Sequence, residues 1–82
     1  MASIAPALKS QLQREPDKRL DLIVKTQGQP QVNWMVAHDI QVRKEYRLAP
    51  MAAITCTGAA ALELGTQDWV ISIELDAAVS AL

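Results

Sequence analysis

The run Leu20-Asp21-Leu22-Ile23-Val24-Lys25-Thr26 constrains this chain more than any other stretch. It is aliphatic and β-branched, with Asp17-Lys18-Arg19 before it and Gln27-Gly28-Gln29-Pro30 after it, the composition of a strand between two breaks. Leu20, Leu22 and Val24 share one face and Ile23 lies on the other. Both faces are therefore apolar, and the strand belongs inside a sheet rather than at its edge. The rest of an 82-residue chain has to cover it, and that length holds one domain.

The covering material is aliphatic. Half the residues are apolar, but there is no Phe and there are only two Trp and one Tyr, so Leu, Ile and Val must supply the core. A formal charge of -1 gives no basic footprint for nucleic acid. Cys56 has no second cysteine to bridge and no neighbours at ligand spacing, so the fold is expected to hold without a disulfide or a metal. Residues 1–15 carry Lys9 and Arg14 and no uninterrupted apolar run, which reads as neither a signal peptide nor a membrane span. A chain complete as it stands is expected to be cytoplasmic.

Taken in order, Ser3 is placed to cap a first helix, Pro6 suits its first turn, Ile4, Leu8 and Leu12 recur every four residues, and Pro16 stops it. That stripe is narrow, so this helix is expected to pack loosely. Gly28 and Pro30 predict a turn, and Val32, Trp34, Met35 and Val36 a short helix over 30–38. Ile40, Val42, Lys44, Tyr46 and Leu48 alternate with Gln41, Arg43, Glu45 and Arg47 in a half-exposed strand. Ala49-Pro50 breaks it, and 51–57 returns as the second arm of a hairpin. Thr57 caps an alanine-rich helix that Gly65 ends. In the last strand Ile71, Ile73 and Leu75 alternate with Ser72, Glu74 and Asp76. Burial between sheet and helices is expected for Leu22 and Val24 or for Ile23, and for Ile71 and Ile73. Residues 77–82 are apolar and uncharged, with no evident core to join.

Strand, helix, strand, strand, helix, strand is the split βαβ order. The predicted class is α+β, a ferredoxin-like βαββαβ fold with a four-stranded antiparallel sheet and two helices on one face, preceded by a short N-terminal helix. Right-handed crossovers put the strands at 20–26 and 51–57 in the middle. The organisation is then an N-terminal helical extension over 1–16, an α+β domain over 17–76 and an apolar tail over 77–82. The other sheet face is expected to be open, with Arg43, Glu45, Arg47, Ser72 and Glu74 on it.

Four stretches carry a likeness to a known family: Leu22-Ile23-Val24, Tyr46-Arg47-Leu48-Ala49-Pro50-Met51-Ala52-Ala53-Ile54, the Ala/Leu helix, and Trp69-Val70-Ile71-Ser72-Ile73-Glu74-Leu75-Asp76. Over residues 20–82 the chain resembles the propeptide of subtilisin-type serine proteases, a family that also contains small stand-alone inhibitors. Ala49-Pro50-Met51 stands where that family often has asparagine-glycine. The resemblance implies an inhibitor or intramolecular folding assistant acting on a subtilisin-like protease, in cis or in trans. Its docking face would comprise Arg43, Glu45, Arg47, Ser72, Glu74 and Asp76, with Glu74 and Asp76 capping helix N-termini of the protease. The tail would enter the substrate cleft as an added strand, Leu82 filling the primary pocket and Val79 a second apolar one, with Ser80 and Ala81 passing between.

Catalytic chemistry is not expected. His38 and Cys56 are the only imidazole and thiol, and neither has the base and orienting group that a nucleophile requires. Cys56 reads as a small core residue, His38 as a partner of helix-terminal carbonyls, and Trp34 and Trp69 as large pieces of the core. The scattered Asp21, Asp39, Asp68 and Asp76 do not make a metal site, and no cofactor, nucleic-acid or membrane partner is implied. The alternative reading is a non-inhibitory interaction or self-association module that uses the open sheet or an edge strand. A small-molecule regulatory domain ranks below it, since the chain has no glycine-rich loop.

Overall fold

The computed structural model describes residues 2–76. Its central strand, β2 (Arg19–Thr26), buries Leu22, Val24 and Thr26 completely, while at the alternate positions Asp21 and Ile23 are half-buried and Lys25 is exposed. β2 lies antiparallel between β4 (Met51–Thr57) and β5 (Val70–Leu75), with Leu22 opposite Ile54 and Leu75, and Val24 opposite Ala52 and Ile73. β3 (Gln41–Glu45) pairs antiparallel with the outer side of β4, and β1 (Ser3–Ile4) pairs parallel with β5. The order is β1-β5-β2-β4-β3. The chain is α+β, but the sheet is five-stranded and mixed where the sequence predicts four antiparallel strands.

The extra strand comes from the N-terminus. Ser3, predicted as a helix cap, is instead a strand residue opposite Ser72, and Ala2 N–H donates to the Gly65 carbonyl at 3.2 Å. α1 (Pro6–Arg14) starts after Ala5 with no side-chain cap, its proline standing where a helix has no N–H to lose. A two-residue strand has no periodicity to read.

Nor is α1 loosely attached. Leu8 and Leu12 are buried in the same core as Leu22, Ile54 and Leu64. α1 packs on α3 (Gly58–Leu64) so closely that a Cβ on Gly58 would stand 2.6 Å from the Leu12 carbonyl oxygen and 2.8 Å from that of Glu15. The connector after α1 also caps α3. Gly58 N–H donates to Lys18 O at 3.2 Å and Ala59 N–H to Pro16 O at 3.0 Å, while Ala60 N–H donates to the Thr57 hydroxyl at 3.2 Å. Three donors that a helix start leaves without partners are thereby satisfied, and only the Thr57 cap is visible in the sequence.

α2 (Val32–Ala37) adds fully buried Met35 to that core. Beside it Trp34 stacks on His38 with ring centres 3.8 Å apart and meets Trp69 edge-on at 5.7 Å. Since Leu8 and Leu12 of α1, Met35 of α2, and Ala61 and Leu64 of α3 join one cluster with Leu22, Val24, Ile54 and Ile73, the three helices lie on one side of the sheet. Ile71 departs from its predicted burial and is 48% exposed, because the pairing slips there: Ser72 stands opposite Lys25 and Val70 opposite Thr26, which leaves Ile71 as the extra residue of a bulge.

Truncating Leu12 to alanine should cost about 2–5 kcal/mol, and Gly58→Ala about 1–3 kcal/mol because its Cβ meets backbone rather than a yielding side chain. Exposed Lys9→Ala should stay within about 0.5 kcal/mol of the parent. Urea denaturation of the three variants checks this, and a Leu12→Ala chain as stable as the parent would mean that α1 is not part of the core.

The helix-free sheet face as candidate functional site

Residues opposite each other in a β-pair point to the same side. With Leu22, Val24, Ile54 and Ile73 turned to the helices, the register turns Asp21, Ile23 and Lys25 of β2 to the other side, with Met51, Ala53 and Thr55 of β4 and Ser72 and Glu74 of β5. Among the described residues no helix covers this face.

Its polar centre is Arg43. A bulge between Val42 and Lys44 puts one extra residue into β3. From there the guanidinium, on a side chain 28% exposed, reaches over β4: Nη2 donates to the Ile54 carbonyl at 3.1 Å and to Asp76 Oδ2 at 3.0 Å, and Nε faces Asp21 Oδ1 at 3.5 Å. The Thr55 hydroxyl donates to that same Asp21 oxygen at 2.6 Å. Away from this cluster, Lys25 Nζ and Glu74 Oε1 form an ion pair at 3.1 Å between side chains about half exposed. Such a pair is weak in water and opens easily to a competing partner.

The bulge also redistributes the predicted docking residues. Arg43, Ser72, Glu74 and Asp76 come together on the helix-free face. Glu45 does not, because after the extra residue it stands opposite Ala52 and so on the helix side. Arg47 lies in the β3–β4 loop, next to fully exposed Leu48. Val79, Ser80, Ala81 and Leu82 lie outside the described residues. Sequence reasoning missed Asp21, Ile23, Lys25 and Thr55. Asp21 had a legible signal: a carboxylate at an alternate position of a central strand needs a cationic partner.

Elsewhere the chain offers less. An open cleft of about 710 Å³ between the 28–30 turn and the 46–50 loop has Glu45 and Arg47 as its charged side chains. Among the described residues no group of three His, Cys, Asp or Glu is placed to hold a metal, and no helix is long and apolar enough to cross a membrane. His38 Nδ1 is 2.7 Å from the Trp34 carbonyl one turn earlier and its Nε2 is 3.6 Å from Glu63 Oε1, contacts that link the end of α2 to α3. Cys56 is fully buried. Burial pushes its thiol up from 9.0 to about 11, against the opposing pull of the Arg19 charge. Compared with family models, curated proteins and solved structures, the chain matches none.

The raised thiol gives a signed prediction. Folded chains keep Cys56 protonated where unfolded chains have ionised it, so its contribution to stability is level below pH 9.0 and is lost as pH rises from there to about 11. A thiol-specific reagent at pH 8 should label the folded chain far more slowly than the urea-unfolded one. Equal labelling rates would contradict the buried placement.

Proposed function

We propose that this chain is a propeptide-like inhibitor, or intramolecular folding assistant, of subtilisin-type serine proteases, which docks by the helix-free face of its sheet and places Val79, Ser80, Ala81 and Leu82 in the substrate cleft. The observation that carries the proposal is the sidedness of the sheet: every helix contributes to one core on one face, and the opposite face is a continuous mixed surface from β3 to β5. The finer fold we propose is ferredoxin-like, with β5-β2-β4-β3 as its antiparallel split βαβ core and β1 and α1 as an addition at the β5 edge.

Several features support face docking over edge pairing. β3, one edge of the sheet, is bulged and carries Arg43, Lys44 and Glu45, which are devices that discourage strand addition. At the other edge, β1 already occupies part of β5. Within the face the two acidic residues predicted to cap helix N-termini, Glu74 and Asp76, differ. Among the described residues the exposed Glu74 side chain is held by Lys25, which suits a carboxylate that exchanges its partner for the N–H groups of a protease helix. Asp76 has a side chain only 11% exposed and is bound to Arg43, so its role is internal. A partner would therefore meet Ile23, Lys25, Ser72 and Glu74 first.

The intact chain should inhibit a broad-specificity subtilisin at micromolar concentration or below. Deleting residues 80–82 should weaken inhibition by at least about thirtyfold, a hot-spot loss near 2 kcal/mol, while the melting temperature hardly moves. Leu82→Asp should act in the same direction, since burying an unpaired carboxylate in an apolar pocket is costly. Steady-state inhibition with circular dichroism on the same samples decides it. A folded parent that inhibits none of several subtilases, or a deletion that inhibits as well as the parent, would remove the proposal.

A further inference from the structure

Asp76 is the last described residue, and Ala77 follows it directly into the segment that carries Val79 and Leu82. Two contacts with the sheet help to fix its place. Its backbone N–H donates to the Asp21 carbonyl at 3.0 Å, just past the end of β5, and its carboxylate accepts a charge-assisted hydrogen bond from Arg43 Nη2 at 3.0 Å. A strand end held only by its own ladder ordinarily frays. Here the fastening comes from the far edge of the sheet, since Arg43 belongs to β3 while β4 and β2 lie between it and β5.

The geometry needs an arginine on a bulge. The extra residue between Val42 and Lys44 aims the side chain across β4, and the planar fork serves several acceptors at once: Asp76 Oδ2, the Ile54 carbonyl and Asp21 Oδ1. Asp21 is itself held by the Thr55 hydroxyl. One guanidinium thereby joins the edge strand to β4, β2 and the residue at which the C-terminal segment begins.

We infer that Arg43 is a positioning residue for the C-terminal segment: its guanidinium clasps to the sheet Asp76, the residue that 77–82 follow in the sequence. The inference rests on the inhibitor reading above. A docked face and a tail are two binding elements on one chain, and a fixed junction raises the effective concentration of the second once the first is bound. It also lowers the ordering cost of the complex.

Two measurements test it. In the free chain, Arg43→Gln removes the charge and the fork and ends two bonds short of the Nη2 position that reaches Asp76. Amide hydrogen exchange at Asp76 should accelerate by at least about tenfold while that of central Val24 is unchanged. With a broad-specificity subtilisin, Arg43→Gln should raise the dissociation constant about tenfold in the full chain and by less than about twofold in a chain ending at residue 78. Asp76→Asn should reproduce both effects, and the double variant should add little to either single one. Unchanged exchange at Asp76 would mean there is no clasp. Equal losses in the full and shortened chains would make Arg43 an ordinary docking contact, and a shortened chain with no measurable affinity would remove the docked face that the clasp serves. A folded parent that binds no subtilase would overturn the inhibitor reading and the positioning role with it, whereas failure of the clasp alone leaves parental inhibition intact.

Discussion

One-sided burial of the sheet is the constraint on which the rest depends. Leu22 and Val24 of β2, Ile54 of β4 and Ile73 of β5 form an aliphatic floor, and three short helices deliver Leu8, Leu12, Met35, Ala61 and Leu64 onto it. Among the described residues no helix lies over the other side of the same strands. That side mixes polar Asp21, Lys25, Ser72 and Glu74 with half-buried Ile23 and Met51, and Ala53 is small enough for its neighbours to close over.

A second constraint operates inside that polar face. Asp21 and Asp76 bring two carboxylates close together, an arrangement that is unfavourable without a cation between them. Arg43 supplies it from an edge strand, and the bulge in β3 supplies the angle. The same irregularity that completes the charge cluster also blunts the edge against strand addition and moves Glu45 to the helix side. Pairing, electrostatics and the shape of the candidate surface are therefore coupled through one inserted residue.

Much of this was legible in the residues. The strand around Leu22 shows in an aliphatic run between two breaks, that around Ile54 in the return of the chain after Ala49-Pro50, and that around Ile73 in alternation, while α3 shows in Thr57 followed by an alanine-rich run; all of these are local signals. What stayed hidden is non-local. β1 is too short for any period and exists only because β5 offers it a partner. The firm seating of α1 depends on Gly58, a residue 46 positions after Leu12, having no side chain. The bulge at Arg43 reverses the facing of Lys44 and Glu45 without any glycine or proline to announce it. Four of the six predicted docking residues share the helix-free face, and the two that do not, Glu45 and Arg47, both follow the bulge.

The central claim, that the helix-free face is the binding face, is tested most directly by amide chemical-shift mapping of the labelled chain with and without a catalytically inactivated subtilisin. The account predicts perturbation at Ile23, Lys25, Ser72 and Glu74, with Ala59, Leu62 and Trp69 on the helix side unchanged. Perturbation centred on those helix-side residues or on the loop around Leu48, with the sheet face silent, would contradict it.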